Sequence, residues 1–209
     1  MIDLKDWQKV NDWESKWWDN CTNTFIEEVK QMQIAKYMGL TPDIVASHVQ
    51  IDVEGKNILD LGGGVTSMLL KAINRGSDCI VVDPILAKCP KWVLDRYASA
   101  DIFYTSQMAE AVDIKAKKFN EVWLYNVLQH VQDPIAVLKT AKRLGKSIRI
   151  FEWLDTPPHE GHPNTITKEM IDKVLGIDLK VSENMPEFTS GYIRAGHGYY
   201  QLGAKNVQG

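Results

Sequence analysis

The chain has 209 residues, 44% of them hydrophobic, and a formal net charge of -3, which suits one domain with a buried core. No stretch gathers Lys and Arg as a duplex-binding surface does, so nucleic acid is not an expected partner. Three cysteines without C-x-x-C spacing (Cys21, Cys79, Cys89) argue for free thiols and a cytoplasmic setting, and neither a signal peptide nor an apolar run of roughly 18 residues for a membrane span is evident.

The first 20 residues hold four of the seven tryptophans, Trp7, Trp13, Trp17 and Trp18. Residues 3–20 read as a helix with Trp13 and Trp17 one turn apart, and 22–38 as a second ending at Gly39. Thr41 and Pro42 suit the cap and first position of a third helix, which would carry His48. From Asn57 the texture changes. NILDL, CIVVD, DIFYT, EVWLYNV and SIRIFEWL are short strand-like runs, with helices expected between them at 65–75, 85–98, 107–112 and 132–144. A helix at 167–175 opens on Thr167. DLKVSEN and GHGYYQLGAKN then read as two strands with no helix between them. The expectation is an α/β fold: a doubly wound, mostly parallel, seven-stranded sheet with an antiparallel C-terminal strand. Residues 1–50 form a helical lid or substrate segment and 51–209 the core. In such folds ligands sit at the carboxyl ends of the strands.

The stretch NILDLGGGVTS, Asn57–Ser67, runs from a strand into three glycines. A P-loop is excluded, because no lysine lies between Gly62 and Leu70. A dinucleotide fingerprint is met only approximately, by Gly62, Gly64 and Ser67. Asp60 weighs against it: a carboxylate beside a pyrophosphate is unfavourable, whereas one beside a cationic ligand is favourable. S-adenosylmethionine carries an ammonium, a sulfonium and an adenosine, and no phosphate.

ILDLGGGVTS resembles motif I of the class I S-adenosylmethionine-dependent methyltransferases, with Thr66 in place of the third glycine. VVDP resembles motif II. SQMAEAVD resembles the next adenine-contacting loop. KFNEVWLYNVLQHVQDP is similar to the fourth-strand run of small-molecule methyltransferases of the quinone-biosynthesis type. The resemblance covers about residues 55–205. It implies a cofactor site of Asp60, Gly62, Gly63, Gly64, Asp83 (ribose), Pro84, Gln107, Met108 and Ala109 (adenine), with Asn126, Val127 and Leu128 on the methionine side.

Methyl transfer needs an aligned acceptor, excluded water and often a general base. His130, just past the fourth strand, is the candidate catalytic residue. His159 and His162, after the fifth strand, are candidate substrate contacts, since HEGH is not a metal-ligand spacing and no metal is expected. Glu152, ending that strand, suits either a polar acceptor or a structural hydrogen bond. A lid over the pocket would use Trp17, Trp18, Asn23, Thr24, Glu27 and Gln31. The expected function is methyl transfer from S-adenosylmethionine to an oxygen or nitrogen of a small molecule. A nicotinamide-dependent oxidoreductase and a non-catalytic S-adenosylmethionine-binding module stay open. Nothing in the sequence sets the acceptor or the oligomeric state.

Overall fold

Five apolar runs form a parallel sheet. The computed structural model describes residues 1–19, 30–32, 34–46, 48–114 and 119–177, and the backbone of 198–200. The strands are β3 (Ile58–Leu61), β5 (Ile80–Val82), β6 (Phe103–Thr105), β7 (Phe119–Tyr125) and β8 (Gly145–Glu152). They lie in the order β6-β5-β3-β7-β8, all parallel, and β9 (Gly198–Tyr200) pairs antiparallel with β8. β3 is buried along its whole length, as a central strand covered on both faces must be. Of the two expected C-terminal strands, residues 178–184 lie outside the described residues, so six strands of this sheet are described where seven are expected.

Alternation along the strands sorts the core into two layers. Leu59, Leu61, Val82, Val122, Leu124, Ile148 and Ile150 meet α4 (Pro134–Leu144) and α5 (Lys168–Leu175) on one face. Ile58, Val81, Trp123 and Phe151 meet α3 (Lys91–Ser99), α2 (helical residues 30–32 and 34–37) and Met38 on the other. Local signals act as expected in two helices. Asp133 accepts the N–H groups of Ile135 and Ala136 ahead of Pro134 at the start of α4. Thr167 caps α5, and Gly176 closes it in the left-handed conformation.

Four other helix expectations need correction. Residues 41–49 form no helix: β1 (Pro42–Val45) and β2 (His48–Asp52) make an antiparallel hairpin, and β2 pairs in parallel with β4 (Ala72–Ile73). The β-branched Ile44, Val45, Val49 and Ile51 favour strand, and Pro42 is tolerated at the start of an edge strand. His48 is therefore a strand residue. Residues 65–75 form two short 3-10 turns, Gly64–Thr66 and Met68–Lys71, and then β4. The backbone breaks between those turns at Ser67, whose Oγ accepts from Leu69 N–H. Pro90 splits 85–98 into the turn Pro84–Ala87 and α3. Residues 107–112 are a turn, with Ala111 N–H donating to Met108 O at 3.1 Å.

Near the amino ends of the strands, Arg149 forks onto Glu121 at 2.7 and 3.0 Å. Trp123 Nε1 also donates to Glu121. Arg149 donates as well to the carbonyls of Met38 and Gly39, just past α2, at 2.8 and 2.9 Å. Burial alone would push the Glu121 carboxyl up, but Arg149 and Trp123 hold it below its ordinary value.

Candidate functional site

At the carboxyl end of β3 the chain turns through Gly62 (φ +79) and Gly64 (φ +58), a conformation that disfavours side chains. A Cβ on Gly62 would fall 2.0 Å from Val127 Cγ2, so only glycine lets β7's loop press on this turn. Asp60 lies beneath it, 2% exposed, and accepts from Ser67 Oγ at one oxygen. Its Oδ1 is buried without a hydrogen-bond partner. Burial pushes its pKa up to about 7, against the lowering by Ser67, and no cationic side chain contributes. Asp83, ending β5, accepts Gly64 N–H at 2.9 Å through Oδ2 and Ile85 N–H at 2.9 Å through Oδ1. Burial pushes its pKa up to about 7 as well, assisted by the charge of Glu14. Each Asp83 oxygen keeps a lone pair for a further donor.

Tyr97, which the sequence reading missed, braces this turn. Its hydroxyl donates to Gly64 O at 2.7 Å and accepts Ser67 N–H at 3.1 Å. No motif marks it; only its place on the α3 face turned to β3 distinguishes it from an ordinary core aromatic. Gln31 is buried at the same turn, donating to Thr66 O and accepting from Lys71 Nζ at 2.6 Å.

The structure brings Pro84 to the same strand end as Asp83, in the turn that follows β5. Past β6, Gln107 is exposed and accepts Asp113 N–H, Met108 is half-buried and Ala109 is buried. Asn126 follows β7 with φ +52, tolerated by asparagine, and accepts from Gln129 Nε2 at 2.5 Å. Val127 and Leu128 both donate their N–H groups to Glu152 Oε1, each at 2.7 Å. Glu152 is fully buried, and its Oε2 has no hydrogen-bond partner. Burial pushes its pKa up to about 8.

His130, His159 and His162 converge. The His130 and His162 rings meet edge-on at 4.4 Å between centroids, and those of His159 and His162 lie 4.1 Å apart. His130 Nδ1 is 2.9 Å from Gly161 O, which assigns the proton to that nitrogen. Glu14 Oε2 lies 3.3 Å from the same nitrogen. Glu14 belongs to α1 (Leu4–Trp18), another site residue absent from the sequence reading, where it looks like one acid among many on a helix.

α1 crosses this end of the sheet. Ile2 N–H donates to Gln132 O at 3.1 Å, and Asp12 pairs with Lys88 at 2.6 Å. Trp13 stacks on Trp17 and faces His159 and His162 edge-on. Trp13 also covers Gly161 so closely that a Cβ there would fall 2.5 Å from the indole. Trp18 packs toward the core and donates to Glu14. Asn23, Thr24 and Glu27 lie outside the described residues.

Residues 31–156 match the family described as a methyltransferase domain. The chain belongs to that methyltransferase family. Its class is that of the S-adenosylmethionine-dependent enzymes, with S-adenosylmethionine as cofactor, and this sets the nicotinamide alternative aside. A ubiquinone biosynthesis O-methyltransferase of Hahella chejuensis is 25% identical over 150 residues, covering 69% of this chain. The chain spans only 58% of that relative's length. Among solved structures, a Thermotoga maritima S-adenosylmethionine-dependent methyltransferase superposes with a TM-score of 0.50 at 14% identity, covering 95% of each chain. Phosphoethanolamine N-methyltransferase 1 of Haemonchus contortus, in complex with phosphoethanolamine and S-adenosylhomocysteine, gives 0.51 at 15% identity, covering 80% of this chain and 37% of its own. Both likenesses support the fold.

The acids suit this cofactor. Asp60 offers an unpartnered buried oxygen to an ammonium, and Asp83 offers two acceptors to a ribose diol. Among the described residues, no group of His, Cys, Asp and Glu is arranged to hold a metal ion, and no helix is long and apolar enough to cross a membrane. A cavity of about 830 Å³ lies elsewhere, at the amino ends of β5 and β6, between Ala72–Ser77 and Asp101–Tyr104.

Proposed function

We propose that the protein transfers a methyl group from S-adenosylmethionine to an oxygen or nitrogen of a small-molecule acceptor. The observation that carries this is Asp60: a fully buried carboxylate at a glycine turn, with one unpartnered oxygen and no neighbouring cation. A cationic ligand supplies what that group lacks. Asp60 would hold the amino-acid end and Asp83 the ribose. Gln107, Met108 and Ala109 would flank the adenine, and Asn126, Val127 and Leu128 the methionine side. The curated relative's O-methylation favours oxygen.

When bound, the cofactor supplies a methyl group activated on a sulfonium. The chain's part is to place the acceptor and take its proton. With Nδ1–H committed to Gly161 O, the His130 lone pair sits on Nε2, ready to accept a proton from a hydroxyl or amine. As a proton arrives there, the Glu14 carboxylate beside Nδ1 stabilises the imidazolium. Residues within the first 50 act as a lid, with Trp13, stacked on Trp17, sheltering His159 and His162 and Trp18 seating the helix.

Thermal unfolding with S-adenosylmethionine, S-adenosylhomocysteine and NAD tests the cofactor. At about 100 times its dissociation constant a ligand adds about 2.7 kcal/mol, raising the midpoint of a chain this size by roughly 5–10 °C. Shifts with the two adenosyl ligands and none with NAD are expected; a shift with NAD alone overturns the reading. An acceptor panel with wild type and His130→Ala follows. Loss of turnover at unchanged S-adenosylhomocysteine affinity is expected, and equal losses make His130 structural. Cofactor binding with no acceptor methylated would make the protein a binding module.

A further inference from the structure

We propose that Glu152 is the positioning residue of the cofactor pocket, holding the loop after β7 against the glycine turn after β3. This rests on the methyltransferase reading above. One oxygen, Oε1, receives two successive N–H groups, Val127 and Leu128, both at 2.7 Å. These are the first amides after the left-handed Asn126, whose own N–H donates to Phe151 O at 2.7 Å. The end of β8 therefore grips three consecutive amides of the β7 loop, two of them through a single buried side chain. That grip fixes Val127, whose Cγ2 fills the space a side chain on Gly62 would need. The line Glu152 to Val127 to Gly62 thus sets the width of the pocket where the amino-acid end of the cofactor would lie. The ribose acid Asp83 is anchored separately, by Gly64 and Ile85.

Such a two-amide clamp needs an acceptor, not a charge. Burial keeps the carboxyl protonated near neutral pH, which leaves Oε1 free to accept. A glutamine copies that neutral acid, whereas an alanine leaves two buried N–H groups without a partner. The role differs from acceptor binding, which would need Glu152 in contact with substrate; it acts through Val127.

The test uses two ligands on the full chain, S-adenosylhomocysteine and adenosine, by calorimetry well below each variant's unfolding midpoint. Glu152→Ala is expected to weaken S-adenosylhomocysteine by at least about tenfold while adenosine, which lacks the amino-acid end, changes by less than about twofold. Glu152→Gln is expected to restore S-adenosylhomocysteine affinity to within about threefold of wild type. Unchanged affinity in Glu152→Ala overturns the proposal, and so do equal losses for both ligands, which a general loosening of the fold would give. Should Glu152→Ala not fold, amide exchange decides: slow exchange of Val127 and Leu128, kept in Glu152→Gln, is expected, and fast exchange in the wild type overturns the clamp. A wild type that binds neither ligand defeats the methyltransferase reading instead, so the two failures are distinct.

Discussion

The two ends of the sheet treat buried carboxylates in opposite ways. Near the amino ends, Glu121 is gripped by Arg149 and Trp123 and held below its ordinary pKa. At the carboxyl ends, Asp60, Asp83 and Glu152 have no bonded cation and are pushed up to about 7, 7 and 8. A paired acid is part of the fold's own closure, and here it ties α2 to β7 and β8. A buried acid without a cation is a cost, met at Glu152 by protonation and two loop amides and left open at Asp60, which points to a ligand.

The largest effect should come from breaking the paired end. Arg149→Ala removes the two-point partner of a buried Glu121, leaving it Trp123 and Lys56 Nζ at 3.3 Å, and should cost about 2–3 kcal/mol in urea unfolding. Asp60→Asn should stay within about 1 kcal/mol of wild type, because it removes an unpartnered charge. Equal costs would erase the contrast. Next comes binding. Asp83→Ala and Asp60→Asn should each weaken S-adenosylhomocysteine by about tenfold in calorimetry, the first losing the proposed ribose acceptors and the second the proposed partner of the ammonium.

A pH series sharpens the contrast further. The three acids have folded values above their ordinary 3.8 and 4.5. Between those values and about 7–8 the folded chain binds more protons than the unfolded one, so their contribution to stability falls as pH rises through this window and levels off above it. Glu121 works the other way, its contribution being lost as pH falls toward its lowered value. Urea midpoints from about pH 5 to about pH 8 should therefore decline, and Asp60→Asn should flatten the decline. S-adenosylhomocysteine binding should release protons in the same window, read from calorimetry in two buffers. The smallest effect is a reference at neither end: Thr167→Ala should cost about 1 kcal/mol by removing the α5 cap.

The strands were legible because a strand covered on both faces must be a short apolar run, and Asp60 stood out by interrupting one. Asp83 was legible from its place after the next run. The helices misread at 41–49 and 65–75 have a common cause. Their local signals, Thr-Pro in one and an apolar run in the other, were overridden by contacts with residues outside the segment: β2 against β4, and Ser67 against Asp60 and Tyr97. Glu14 and Tyr97 escaped notice for the same reason. Each matters through a partner more than 30 residues away, His130 or Gly64, and nothing in its own neighbourhood announces it.

The contact between Trp13 and Gly161 offers a mechanical handle. One methyl group at position 161 would act as a wedge under the indole, straining the contact between α1 and the loop that carries His159 and His162. Gly161→Ala would load that contact and, with it, both partners of His130 at once, the Gly161 carbonyl and Glu14 of α1.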